Sequence, residues 1–119
     1  MKSRKTSSKK LLPDVKRERV KLRLSSSAEA DLDSIDAYSF EQFGEDIADA
    51  YMRGFDELFD LLRLLPKAGV TASDLGRGIR KLTHRQHRIF YTAKGNLVFI
   101  ARIVHHAMDA KRALKGMER

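Results

Sequence analysis

Arg80, His87, Tyr91, Arg102 and His105 are the side chains in this sequence whose types could share one piece of acid–base chemistry. Cutting an RNA phosphodiester takes a base for the 2′-hydroxyl, a cation for the phosphorane and an acid for the leaving oxygen. Those five residues offer all three. They sit in apolar runs, Ile79–Thr83, His87–Thr92 and Leu97–Val104, where hydrophobic residues alternate with Arg, His and Tyr at the period of a strand. Alternation puts His87, Ile89 and Tyr91 on one face and Arg88, Phe90 and Thr92 on the other. A bland role is open to each: His87 and Tyr91 can pack in a core. Arg80 or Arg102 can pair with a helix acid, Asp31 or Asp36, to orient the sheet. The four histidines do not suggest zinc. His84 and His87, and the neighbours His105 and His106, are expected to point to opposite faces.

Other elements must hold those strands in place. Val20–Leu24 alternates apolar and basic residues and reads as a first strand. Ser26 and Glu29 have capping-box spacing, and Ala28, Leu32, Ile35, Tyr38 and Phe43 mark the apolar side of a helix. Gly44 is placed to end it in the left-handed conformation. A second helix runs from Glu45 to about Leu65, with Ile47, Tyr51, Phe55, Leu58, Leu62 and Leu65 on one stripe and Ala48, Met52 and Phe59 widening it. Pro66 stops it. With only Gly44 between them, the helices form an antiparallel hairpin. Lys67–Arg77 is a glycine-marked loop, Ala93–Asn96 a hairpin turn, and Asp109–Met117 a short C-terminal helix capped by Asp109. The order is β-α-α-β-β-β-α: an α+β domain with a helical hairpin packed on a small, mostly antiparallel sheet. One sheet face falls to the hairpin, and the other needs the C-terminal segment or a partner.

The 119 residues suit one domain with one core. Without cysteine, disulfides and thiolate metal sites are excluded. No run approaches the roughly 20 apolar residues that span a bilayer. The N-terminus lacks the apolar core of a secretory signal, so a cytoplasmic protein without a membrane partner is expected. The net charge of +8 is unevenly spread. Residues 1–19 hold eight Lys/Arg against Asp14 and Glu18 and read as a flexible basic tail preceding a domain over 20–119. Such an arm can also add non-specific affinity for nucleic acid. From Ala28 to Asp60, eleven acids face the single base Arg53, whereas from Leu61 onward thirteen bases face three acids. An acidic helical half and a basic sheet half would steer a charged partner. The edge of a small sheet, apolar and basic, would accept an extended acidic peptide as a strand or a helix laid across it.

The order of elements is matched by particular residues: Leu24-Ser25, Ala30–Ile35, Gln42-Phe43-Gly44, Leu65-Pro66 with Gly69, Gly78–Leu82, His87–Tyr91, and Arg102–His105 with Met108-Asp109. Together they resemble the ParE branch of the RelE/ParE toxin superfamily over about residues 20 to 115. The loop Lys67–Leu75 and the segment before Val20 depart from that pattern. The resemblance implies the toxin half of a type II toxin–antitoxin pair, without cofactor or metal. It implies a ParD-like antitoxin whose acidic C-terminal segment wraps the toxin. Operator DNA would then be reached only through the antitoxin. DNA gyrase is the implied target, poisoned so that replication stops.

RelE-type relatives instead cut mRNA on the ribosome. Such nucleases carry a critical Arg or Lys after the last strand, where this chain has Val104-His-His-Ala-Met-Asp109. They also use Lys or Arg where it has Leu82-Thr83. His105 or His106 could substitute, but no tyrosine follows. The residues therefore favour a recognition surface, made by Arg80, Arg85, His87, Arg88, Tyr91, Arg102, His105 and Met108, over a catalytic centre. The alternatives are a ribosome-dependent mRNA endonuclease and an inactive module that only binds antitoxin.

Overall fold

The computed structural model describes residues 20–115. The tail expected over 1–19 and the end of the expected C-terminal helix lie outside them. Strand β1 is Lys21–Leu24, helix α1 Ser26–Phe43 and helix α2 Glu45–Leu64. A two-residue strand β2, Val70–Thr71, and a 3-10 turn, Ser73–Leu75, fall in the stretch expected to be loop. Strands β3 (Arg80–His84), β4 (His87–Lys94) and β5 (Leu97–His105) follow, and helix α3 (Ala110–Ala113) is the last element described. The sheet order is β1-β5-β4-β3-β2, with β1 parallel to β5 and every other pair antiparallel.

Helix α1 begins one residue earlier than its capping-box spacing suggests. The β1–β5 ladder runs on to Ser25, whose N–H donates to the Ile100 carbonyl at 2.9 Å and holds it extended (φ −68, ψ 163). Ser25 is therefore the N-cap. Its Oγ accepts from the Ala28 N–H at 2.9 Å and donates to the Ala101 carbonyl at 2.7 Å. Ala101 is the extra residue of a β-bulge, since Phe90 pairs with Arg102 while Tyr91 pairs with Ile100. The cap thus also satisfies a carbonyl displaced from the β4 ladder. At the other end, Gly44 alone joins the helices. Its φ of 90° favours glycine as expected, but its ψ of 171° is extended and not left-handed helical.

The hairpin packs on one sheet face around Ile35, Phe55, Phe59, Leu62, Ile89, Tyr91, Val98, Ile100 and Ile103. Phe90, Ala101 and Val104 occupy the second face beneath Leu114. The C-terminal segment therefore supplies part of the second cover. Four residues expected inward are not buried: Tyr38 (61% exposed), Phe43 (59%), Ile47 (54%) and Leu65 (57%). Three of them flank Gly44. Periodicity gave their side of the helix, but the hairpin tip overhangs the end of the sheet and finds no strand beneath it. Among the described residues no helix is long and apolar enough to cross a membrane.

A mid-helix glycine costs about 1 kcal/mol relative to alanine, and Gly54 sits within α2 for a local reason. A Cβ there would stand 2.2 Å from the His84 ring. The Cε1–Nε2 edge of the imidazole fills the space glycine leaves, with Nε2 hydrogen-bonded to the Tyr51 carbonyl at 3.1 Å. This contact locks the β3–β4 turn to α2.

Candidate recognition groove

The overhanging tip leaves a groove of about 830 Å³ between the helical hairpin and the β3–β4 turn. Ile35, Tyr38, Phe43 and Ile47 give it an apolar helical wall, while Arg85, Gln86, His87 and His105 form the polar side. Tyr51 stands where the two meet. Its hydroxyl shares a 2.7 Å hydrogen bond with His87 Nδ1. Its ring packs edge-on to Phe55 and tilted against His84. Burial raises the Tyr51 pKa above its ordinary value, so the phenol remains protonated.

Histidines expected on opposite faces are brought together. Only Arg85 and Gln86 separate β3 from β4, so His84 and His87 are directly paired across the turn and share a face. His87 is in turn paired with His105, their rings 5.6 Å apart. His105 and His106 stack at 4.4 Å because β5 ends at His105 and the His106 N–H turns to the Gln86 carbonyl. Among the described residues, no three His, Asp or Glu side chains are placed to hold a metal ion.

Arg85 is the non-glycine residue with positive φ among those described, at 53°. As first central residue of a two-residue hairpin turn it occupies the position where glycine is usual. Arginine there costs on the order of 1 kcal/mol. Backbone strain of this kind often accompanies a functional placement. Here it holds a guanidinium at the rim of an apolar groove.

Of the residues expected to form the surface, Arg85, His87 and His105 line this groove. Three others have structural partners. Tyr91 is fully buried, its hydroxyl donating to the Pro66 carbonyl and accepting from the Gly69 N–H, both at 2.8 Å. A Cβ on Gly69 would lie 2.8 Å from that hydroxyl, so glycine is needed for the approach. Arg80 secures the same loop, donating to the carbonyls of Gly69 at 2.7 Å and Lys67 at 3.3 Å. Arg102 forms a two-pronged pair with Asp31, Nε and Nη2 each at 2.8 Å, and Nη1 reaches the Ala113 carbonyl. The expected pairing with a helix acid thus forms at Arg102, and the bonds to Asp31 raise its pKa further. Arg88 sits on the face opposite His87, beside Val104. Met108 is half exposed beyond β5, apart from the groove lining. The five residues that suggested a nuclease therefore do not form one cluster: His87 meets His105 in the groove, Arg80 and Tyr91 hold the Pro66–Gly69 loop, and Arg102 holds Asp31. Tyr51, Tyr38 and Phe43 were missed because each lies on a stripe that reads as core.

This is a small α+β domain with a candidate recognition groove and with Arg80 and Arg102 committed to structure. Residues 22–110 match the family described as the ParE toxin of the type II toxin–antitoxin system parDE. The chain belongs to that family. It is 30% identical over 92 residues to Toxin ParE1 of Mycobacterium tuberculosis (strain H37Rv), covering 76% of this chain and 94% of the relative. It is 34% identical over 92 residues to Toxin ParE1 of Caulobacter vibrioides (strain CB 15), covering 77% and 95%. A solved structure titled "Chromosomal ParDE TA system from P. aeruginosa" superposes with a TM-score of 0.64 at 24% identity. It covers 73% of this chain and 96% of that one and supports the same fold.

The groove makes stability depend on pH. Burial lowers the His87 pKa to about 4 from 6.5, helped by the positive fields of His105, His84 and His106 and opposed by Asp31. A depressed histidine contributes its full stability above the unfolded pKa and loses it as pH falls toward the folded one. Thermal stability is therefore expected to decline from pH 6.5 to about 4. His87→Gln is expected to flatten that part of a melting-temperature profile, and an unchanged slope would rule out this assignment.

Proposed function

We propose that this toxin inhibits DNA gyrase when free, and that a ParD-like antitoxin keeps it silent by laying an acidic, partly apolar segment into the groove. The observation that carries the docking is the juxtaposition of Arg85, His87 and His105 with Tyr38, Phe43 and Ile47. Apolar side chains of a partner helix would fill the hairpin side, and its carboxylates would meet Arg85. Membership of the ParE family supports the toxin assignment. The gyrase target rests on that kinship. The nuclease reading is disfavoured because Arg80, Tyr91 and Arg102 are engaged with the Pro66–Gly69 loop and with Asp31.

Purified toxin is expected to inhibit gyrase supercoiling and to accumulate cleaved DNA, with both effects reversed by the cognate antitoxin. Absence of both effects rejects the target. Cuts at codon positions, seen by primer extension on translated mRNA, would favour the nuclease instead.

A substitution at Arg85 separates docking from stability. Arg85→Gly removes the left-handed strain, so the isolated toxin is expected to become up to about 1 kcal/mol more stable. The same change is expected to weaken binding of the antitoxin's C-terminal peptide by about tenfold in calorimetry. Unaltered affinity would place the peptide elsewhere.

A further inference from the structure

The second face of the sheet is covered only in part. Leu75, Ile79, Ala110, Ala113 and Leu114 pack over Phe90, Ala101 and Val104. Toward the start of β5, the register brings together a different set. Lys21 lies beside Leu97 and Arg23 beside Phe99. Across β5, Lys94 lies beside Leu97 and Thr92 beside Phe99. Their neighbours along the strands, Leu22, Leu24, Val98 and Ile100, belong to the core under the helices, so these six residues share the opposite face.

Lys21, Arg23 and Lys94 are exposed, while Thr92, Leu97 and Phe99 are partly so. Strands β1, β4 and β5 contain no Asp or Glu to pair with the three cations. The ion pairs among the described residues, Arg63–Asp60 and Arg102–Asp31, involve none of them. Lysine on an edge strand commonly guards against edge-to-edge pairing. That accounts for Lys21 and Arg23 on β1. It extends to Lys94, which lies past the last β3–β4 pair, Arg80–Tyr91, but it does not account for a partly exposed phenylalanine between the cations.

We propose that this corner binds a single strand of nucleic acid, with Lys21, Arg23 and Lys94 on phosphates and Phe99 stacked against a base. Cations interleaved with an aromatic on a sheet suit unpaired bases, whose π faces are open, better than a closed duplex. The eight Lys/Arg of residues 1–19 lead directly into Lys21 and add sequence-independent attraction. The acidic helices lie on the other side of the sheet and turn the cationic side toward a polyanion. The site is separate from the groove: it occupies the opposite face, roughly 26 Å away along β5. It stands whether or not gyrase is the target.

The test is fluorescence anisotropy of the purified full chain with labelled oligo-dT of about 12 nucleotides, titrated between about 50 and 200 mM salt. The triple variant Lys21→Gln/Arg23→Gln/Lys94→Gln is expected to lose about tenfold or more in affinity, and about 2 units of salt slope, roughly 0.7 for each of the three phosphate contacts. A control of equal charge, Arg53→Gln/Arg77→Gln/Lys111→Gln, is expected to lose less than about threefold. Unchanged melting temperatures show that both variants are folded. Weaker binding of an abasic oligomer of the same length supports stacking on Phe99. The proposal is overturned by no binding of oligo-dT, by equal loss in both variants, or by equal affinity for the abasic strand. Displacement by polyglutamate as effective as by unlabelled oligo-dT would also overturn it, because the site would then take acidic peptides.

Discussion

One carboxylate organises the joint between helices and sheet. Strand β1 pairs with only the first four residues of β5, so beyond Ile100 the edge of a buried strand has no neighbouring strand on that side. Helix α1 takes the place of the missing ladder. Ser25 satisfies the Ala101 carbonyl, and Asp31 Oδ2 accepts the Ile103 N–H at 2.8 Å. Asp31 could not sit there as an isolated charge, since burying one without a partner costs several kcal/mol. Arg102 neutralises it through two hydrogen bonds and spends a third on the end of α3. One guanidinium therefore ties α1, β5 and the C-terminal segment. The ion pair matters less for its own energy than for what its removal would leave uncompensated.

Several of these features are legible in the residues alone. Alternation marks β3, β4 and β5, Pro66 and Gly44 delimit the helices, and the element order follows. The helix acid that answers a strand arginine is narrowed to Asp31 or Asp36, and geometry chooses Asp31. What is not legible depends on extent and turn position. Val70–Thr71 is too short to show a period. Tyr38, Phe43 and Ile47 lie on apolar stripes, but a stripe does not say where the sheet beneath it ends. A turn at Arg85-Gln86 reverses the expected facing of His84 and His87. Tyr91 faces the side that alternation assigns it, and that side is the covered one.

The same misplacements shift the functional reading from chemistry to recognition. Arg80 and Tyr91, which looked like part of a catalytic set, clamp the Pro66–Gly69 loop. The tip of the hairpin, which looked like core, is the apolar wall of a groove. The histidines gather at its polar side, and His84 is seated in the gap left by Gly54. Arg85 is held at the rim in a conformation that stability alone would not select.

The central claim, that the joint between Asp31 and Arg102 holds helices and sheet together, is tested most directly by a double-mutant cycle. Urea unfolding of Asp31→Ala, Arg102→Ala and the double variant gives the coupling free energy. Each single change is expected to cost about 3 kcal/mol, with a coupling between them of about 1 to 3 kcal/mol. Single variants as stable as the parent, with coupling below about 0.5 kcal/mol, would contradict the account.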